Sequence, residues 1–245
     1  MDKKIFTESI KKLKEISPKR KFTQSIDLVI NLKGIDLKKP EQKVDLFVIL
    51  PYSKGKQVKI CALVGNELAS QAKILFDKTI TSEEFQKYNE KKVLKKIASE
   101  FDYFIAQANL MGQIATVFGR TLGPRGKMPN PKAGCVVPPT AQITALKDRL
   151  QKTIHLQTKN DASLKASIGL EDMENEELAE NAYSAFSSLI HSLPQEKANI
   201  KSVMVKTTMG PIVIVTDQGP KIKETKEVEI EAKETKSKKT NKNET

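Results

Sequence analysis

The segment at residues 118–134, FGRTLGPRGKMPNPKAG, constrains this chain more than any other part of it. It holds four glycines, three prolines and four basic side chains, and it contains no carboxylate. Glycine and proline at this density set specific turns and disfavour a regular helix or strand. Cations on a rigid backbone repel one another unless a partner neutralises them. We therefore predict a shaped loop, called here the cationic segment, that contacts an anion such as phosphate; a solvated surface loop is the alternative interpretation.

The cationic segment does not fit a nucleotide-binding loop. Gly126 and Lys127 superficially resemble the end of a phosphate-binding loop, which needs a glycine five residues before the Gly-Lys pair and a serine or threonine after it. Position 121 is threonine and position 128 is methionine, and the chain has no Gly-x-Gly-x-x-Gly run. The sequence therefore argues against a nucleotide-binding enzyme.

The excess of positive charge indicates a nucleic-acid partner. Lysine and arginine number 42 against 30 acidic residues, which gives a formal net charge of +12 and a pI near 9.5. This balance favours nucleic acid, with an anionic membrane surface as the other candidate. No apolar run approaches the roughly 18 residues of a membrane span, and the amino terminus lacks the apolar core of a signal peptide. We therefore expect a cytoplasmic protein that is not bound to a membrane.

Cysteine and histidine are too few and too scattered for a metal or catalytic site. Cys61 and Cys135 lie in apolar surroundings without Cys-x-x-Cys spacing, and His155 and His191 have no ligand partner at metal spacing. The carboxylates cluster in surface runs rather than in acid and base pairs. We predict inert buried thiols, structural histidines, no cofactor, no metal and no catalysis.

The hydrophobic pattern changes twice along the chain. Before residue 51 and after residue 153 apolar and polar residues alternate, as in strands with one buried face, and Ile26, Leu28, Ile30 and Leu32 are an example. Between these limits, nearly continuous apolar strands such as 58–64 alternate with helices. That rhythm is typical of a parallel sheet covered on both sides.

We therefore predict an α/β (α+β) fold of two domains. Residues 1–52 and 153–219 form a split mixed-sheet domain, and residues 53–152 form a three-layer, Rossmann-like α/β domain inserted into it. Insertion is feasible because the termini of a domain often lie close together. From Pro220 onward the chain carries eight lysines and six glutamates but few apolar residues. It cannot bury enough surface to offset the entropy of ordering, so residues 220–245 are predicted to be a disordered tail.

Two charged clusters in the split domain predict opposite behaviour toward RNA. The basic residues 19–21 lead directly into Phe22, so this cluster either clamps a phosphate backbone beside a stacking ring or is simply solvated. The run Glu171–Glu180 holds six carboxylates and no base. Because these carboxylates would repel phosphate, we expect that helix end to face away from RNA.

The run Leu122–Pro131, LGPRGKMPNP, closely resembles the signature of the universal large-subunit ribosomal protein L-one family, the side-stalk proteins. Lys127 and the residues VVPP at 136–139 resemble the archaeal branch more than the bacterial one. The similarity covers about residues 3–217. It implies a structural RNA-binding protein with a split domain that holds ribosomal RNA and an inserted domain that moves at the ribosomal exit site.

The resemblance also implies which residues contact RNA. Transferred motif by motif, the contact surface comprises Lys21, Phe22, Ser25, Asn31, Thr158, Lys159, Ser202, Thr207, Thr208, Met209 and Gly210. Asn31 stands where many relatives carry lysine, so this contact is expected to be a hydrogen bond rather than an ion pair. Arg125, Lys127 and Lys132 of the cationic segment either touch RNA or transfer RNA, or only shape the inserted domain.

The family implies three RNA partners: large-subunit ribosomal RNA, exit-site transfer RNA, whose release the protein assists, and the protein's own messenger RNA, whose translation it represses. We expect a monomer within the ribosome. A free RNA-binding repressor or chaperone outside the ribosome is the alternative, because both functions need the same surface.

Overall fold

The computed structural model describes residues 2–37, 39, 42–88, 90–139, 143–159 and 161–223. It divides the chain into a split unit, Met1–Gly55 with Ile154–Thr245, and an inserted unit, Lys56–Thr153. The boundaries predicted from the sequence fall after residues 52 and 152. Helices and several sheets occur together, so the predicted mixed fold class is confirmed.

The elements are numbered here in chain order. The helices are α1 Lys3–Ile16, α2 Asn66–Leu75, α3 Lys91–Glu100, α4 Met111–Leu122, α5 Thr144–Lys152 and α6 Asn175–Ser192. The strands are β1 Ser25–Leu32, β2 Asp45–Ile49, β3 Ile60–Val64, β4 Lys78–Thr81, β5 Tyr103–Gln107, β6 Val136–Val137, β7 Thr153–Gln157, β8 Ser163–Leu170, β9 Ile200–Thr207, β10 Ile212–Thr216 and β11 Gly219–Lys223.

The split unit is built on a five-stranded antiparallel sheet in the order β11-β10-β9-β1-β8, with β2 and β7 paired beside it. Along β1 buried and partly exposed residues alternate, as the sequence predicts. The buried residues join a core with α1 and α6, where Phe6 lies 5.7 Å from Phe186 between ring centroids. The other face of β1 carries Asp27, Val29 and Asn31, all partly exposed.

The inserted unit is built on a four-stranded parallel sheet in the order β4-β3-β5-β6. All five residues of β3 are buried, which explains its continuous apolar sequence. Cys61 and Leu63 of β3 pack in one cluster with α3 and α4, while α2 packs against β3 and β4. Burial raises the pKa of the Cys61 thiol to about 12 and that of Cys135 to about 11, so both thiols stay protonated near neutral pH.

The cationic segment is more regular than its glycines suggest. Helix α4 continues to Leu122, because Phe118 and Leu122 are buried on the same helix face as Ile114. That burial outweighs the cost of about 1 kcal/mol for the helical Gly119. The turns follow at Gly126 and Gly134, whose φ angles of 67° and 75° favour glycine. Ahead of β5, a 3-10 helix at Ser82–Tyr88 precedes α3.

The predicted disorder from residue 220 is wrong for its first residues. Residues 219–223 form β11, which pairs with β10 and supplies hydrogen-bond partners to a strand that would otherwise end the sheet. Lys12 Nζ also donates to the carbonyl of Pro220 at 3.3 Å. Residues 224–245 lie outside the described residues.

Candidate RNA interface

Two segments far apart in the chain meet at the start of β1. The Thr208 amide donates to the Ser25 carbonyl at 3.0 Å, and the Ser25 amide donates to Thr208 Oγ1 at 3.2 Å. The two hydroxyls lie 3.0 Å apart. This pairing joins the first residue of β1 to the turn between β9 and β10. We call the group Lys21, Phe22, Ser25, Thr208, Met209 and Gly210 the turn cluster.

The turn cluster exposes apolar surface beside positive charge. Phe22 is 52% exposed and Met209 is 62% exposed, although most large apolar side chains of the described chain are buried. Lys21 is exposed immediately before Phe22. A flat ring and a polarizable thioether can pack on sugars and bases, and a neighbouring ammonium group attracts phosphate.

The backbone conformation at Gly210 does not call for glycine, because its φ is not positive. The reason for glycine at this position is steric. A Cβ added at Gly210 would collide with Thr207 Oγ1 and would lie 2.8 Å from Ser17 Oγ. The Thr207 side chain is itself fully buried, and its hydroxyl lies 3.1 Å from that of Ser17. Thr207 therefore supports the turn from inside, and the structure does not present its side chain on the surface that the resemblance implied.

A second group lies at the other end of β1. Asn31 Nδ2 donates to Ser202 Oγ at 3.0 Å, and the two residues are cross-strand partners. On the opposite side Asn31 pairs with Ser163, which lines a hollow together with Lys159. We call Asn31, Lys159 and Ser202 the strand-end cluster.

Thr158 does not join the strand-end cluster at the surface. Its side chain is buried, and its hydroxyl accepts a hydrogen bond from the Val44 amide at 3.1 Å. The threonine thus closes the pairing between β2 and β7. The pattern of alternating residues cannot distinguish such an internal hydroxyl from a surface one.

The two clusters lie at opposite ends of one sheet face. Ser25 and Asn31 are six residues apart on β1, which corresponds to about 20 Å. Between them the face carries Asp27 and Val29, paired on β9 with Lys206 and Met204 respectively. Burial raises the pKa of Asp27, opposed by the positive charge of Lys206. Lys206 is not among the residues predicted from the sequence, although the alternation of β9 puts it on the same face as Ser202.

The start of the acidic run, which precedes α6, lies close to the turn cluster. Glu171 Oε2 accepts from Gln24 Nε2 at 3.2 Å, and Gln24 Oε1 accepts from the Met209 amide at 3.1 Å. Glu171 also lines a hollow with Lys19 and Arg20. The partial charge balance there explains how carboxylates can stand beside a basic surface.

Two basic side chains of the cationic segment hydrogen-bond within the inserted unit. Arg125 Nη1 donates to the Lys95 carbonyl at 3.2 Å and to Ser99 Oγ at 2.7 Å. Lys127 Nζ donates to the Phe101 carbonyl at 2.6 Å and lies 3.9 Å from Asp102 Oδ1. These bonds tie the segment to α3 and to the residue after it. The Lys132 side chain is exposed.

Sequence comparisons find relatives that match most of this chain. The profile of the Ribosomal protein L1p/L10e family matches residues 12–211. The chain is 40% identical over 216 residues to the large ribosomal subunit protein uL1 of Thermococcus kodakarensis, covering 87% of this chain and 98% of the relative. It is 42% identical over 217 residues to the protein of that name from Methanocella arvoryzae, covering 88% and 100% respectively. This chain belongs to the ribosomal protein L1 family.

Membership of the L1 family confirms the resemblance to the archaeal branch. Proteins of this family are structural ribosomal proteins and not enzymes, which confirms the expectation of no catalysis. His155 has a structural setting consistent with this: its Nε2 lies 2.6 Å from Asp45 Oδ1, and its ring stacks on Phe47 at 4.2 Å between centroids. Within the described ranges, no group of three or more potential ligands could hold a metal, and no helix is long and apolar enough to cross a membrane.

Proposed function

We propose that this L1-family chain is a structural constituent of the large ribosomal subunit that binds ribosomal RNA directly through its split unit and forms the mobile side stalk at the exit site of cytoplasmic ribosomes. One observation carries the proposal: Ser25 and Thr208 hydrogen-bond to each other and so tie the segment that carries the exposed Phe22 to the turn that carries the exposed Met209. A surface with protruding apolar side chains, hydroxyls and lysines suits folded RNA.

Each side-chain type has a defined task in this proposal. Phe22 and Met209 pack on a sugar or an unstacked base, and the Ser25 and Thr208 hydroxyls bond to a 2′-hydroxyl or phosphate. At the strand-end cluster, Lys159 contacts phosphate, while Asn31 and Ser202 form hydrogen bonds. Thr158 and Thr207 hold these groups in place from inside.

RNA affinity should fall with salt in proportion to the phosphates contacted. We expect a slope of about 0.7 to 0.9 log units per log salt for each neutralised phosphate. Lys21→Gln should reduce the total slope by about that amount. Filter binding with purified large-subunit ribosomal RNA, between low and moderate salt, measures the slope.

Lys4→Gln is the matched control for Lys21→Gln. Lys4 is exposed near the start of α1, the helix that packs against the sheet's core face. It should leave the slope unchanged. A flat salt response of the unmodified protein, or equal effects of the two substitutions, would contradict the electrostatic assignment of Lys21.

The same surface supports repression of the protein's own messenger RNA, if that messenger imitates the ribosomal site. We expect the purified messenger leader to compete with ribosomal RNA for one site, whereas an unrelated duplex of equal length competes only at low salt. Simultaneous binding of both RNAs would contradict a shared surface. Sedimentation of a cell lysate on sucrose gradients distinguishes a ribosomal protein, found with large subunits, from a free repressor or chaperone.

We further propose that the inserted unit assists release of deacylated transfer RNA from the exit site through Lys132, while Arg125 and Lys127 shape the cationic segment. Lys127→Met should lower the free energy of unfolding of the inserted unit by about 1 to 2 kcal/mol, because it removes a hydrogen bond from a charged donor. It should leave the affinity for deacylated transfer RNA nearly unchanged.

Lys132→Gln should do the opposite, weakening transfer RNA binding without changing stability. Hydrogen exchange measures the stability of the inserted unit in both variants, and equilibrium titration with deacylated transfer RNA measures their affinity. A loss of affinity in Lys127→Met without a loss of stability would instead make Lys127 a direct contact.

A further inference from the structure

A fully buried glutamine lies beneath the turn cluster. Gln24 has no exposed surface, and its side-chain amide reaches three separate segments. Its Nε2 donates to the Pro18 carbonyl and to Glu171 Oε2, both at 3.2 Å. Its Oε1 accepts from the Met209 amide at 3.1 Å. One side chain thus links the end of the first helix, the end of β8 and the turn that exposes Met209.

The chemistry of these partners admits only an amide in one orientation. The Met209 amide is a donor and needs an acceptor, whereas the Pro18 carbonyl and the Glu171 carboxylate are acceptors and need donors. Glutamate at position 24 would offer no donor and would bring a second carboxylate against Glu171. Methionine would fill similar space but would leave the Met209 amide without this acceptor.

The backbone of the same two residues reinforces the link. The Glu171 amide donates to the Gln24 carbonyl at 2.9 Å, so Glu171 is attached to Gln24 through both main chain and side chain. The main chain next to Gln24 is also tied to the turn, since Ser25 exchanges hydrogen bonds with Thr208. Gln24 therefore lies at the junction between the acidic run and the turn, although its own side chain cannot touch a ligand.

We propose that Gln24 is a positioning residue for RNA recognition, and that Glu171 fixes the orientation of its amide. The inference rests on the proposed RNA-binding function. It assigns a role in that function to a buried residue that does not itself touch RNA. Gln24 holds the Met209 backbone, before RNA binds, in the conformation that contacts RNA. Binding therefore loses less conformational entropy. The role of Glu171 is to orient this amide, which gives a carboxylate beside the proposed RNA surface a function other than facing RNA.

Exchanging the two side chains tests the assignment. Gln24→Glu should weaken binding to purified large-subunit ribosomal RNA by about 10- to 100-fold, while binding to an unrelated RNA duplex stays unchanged. Glu171→Gln alone should have a small effect, because the oxygen of the introduced amide can still accept from Gln24. The double variant Gln24→Glu, Glu171→Gln should recover part of the affinity lost in Gln24→Glu, since the Pro18 carbonyl still lacks the donor that Gln24 supplies. In that variant the amide introduced at position 171 can donate to the carboxylate introduced at position 24, which still accepts from Met209.

A matched substitution separates positioning from stability. Asn181 is another fully buried amide of the split unit, with hydrogen bonds from the Tyr52 amide at 3.0 Å and to the Ile168 carbonyl at 2.9 Å. Asn181→Leu should lower the melting temperature but keep the ratio of selective to nonspecific affinity. Gln24→Met should lower that ratio and speed the hydrogen exchange of the Met209 amide.

The outcomes are distinguishable. If the unmodified protein does not prefer ribosomal RNA to the duplex, the proposed function fails and this inference falls with it. If it does prefer ribosomal RNA, and Gln24→Met keeps the ratio or the double variant binds no better than Gln24→Glu, the positioning role is overturned while the proposed function stands. Should Gln24→Met fail to fold, the comparison of Gln24→Glu with the double variant still decides.

Discussion

Gly210→Ala should abolish most of the preference of this protein for ribosomal RNA. The added Cβ would collide with Thr207 Oγ1 and crowd Ser17 Oγ, and turning the buried Thr207 hydroxyl aside would break its contact with that of Ser17. The turn must therefore open, which displaces Met209 and Thr208. We expect a loss of about 2 kcal/mol of binding free energy, or about 30-fold in affinity. Competition filter binding against an unrelated duplex measures it.

Gly112→Ala provides the control for Gly210→Ala. Gly112 lies near the start of α4 in the inserted unit, where an added Cβ meets no atom within 4 Å. It should leave RNA binding unchanged and stabilise the helix by up to about 1 kcal/mol. An unaltered preference for ribosomal RNA in Gly210→Ala would show that the turn does not read RNA.

Phe118→Ala should unfold the inserted unit far more easily and yet spare ribosomal RNA binding. Phe118 is buried, and its ring centroid lies 5.5 Å from that of Phe85 and 6.4 Å from that of Tyr88. Removing it should reduce the free energy of unfolding of that unit by about 3 to 5 kcal/mol. The affinity for ribosomal RNA should change less than about twofold, because the turn and strand-end clusters belong to the other unit.

Phe6→Ala is the reciprocal change in the split unit. Phe6 of α1 is fully buried against α6, so its removal should destabilise that unit by a similar amount and should also weaken RNA binding. Hydrogen exchange followed by mass spectrometry reports the two units separately, and filter binding reports affinity. If Phe118→Ala lost ribosomal RNA as completely as Phe6→Ala, the inserted unit would have to be part of the main interface.

The sequence predicted most of the local structure, because periodicity records which face of an element is buried. The alternation of Ile26 to Leu32 indicated both the strand and its core face. The motif at Leu122–Pro131 identified the family. The glycines of the cationic segment suggested an irregular loop from Phe118 onward, but α4 continues to Leu122 because Phe118 and Leu122 are buried. The tail was predicted by composition alone, and composition does not register that residues 219–223 can pair with an existing strand edge.

The amino-acid sequence by itself determined the fold class, the inserted arrangement and the likeness to ribosomal proteins, since these follow from periodicity and local motifs. Only the tertiary structure decided which polar groups are available for RNA. Thr158 and Thr207 are buried with internal partners, whereas Thr208 is exposed. The hydrogen bond from the Met209 amide to Gln24 joins residues that are 185 positions apart. Hydrogen bonds between distant segments depend on how the chain folds back on itself, and a pattern read along the chain does not contain them.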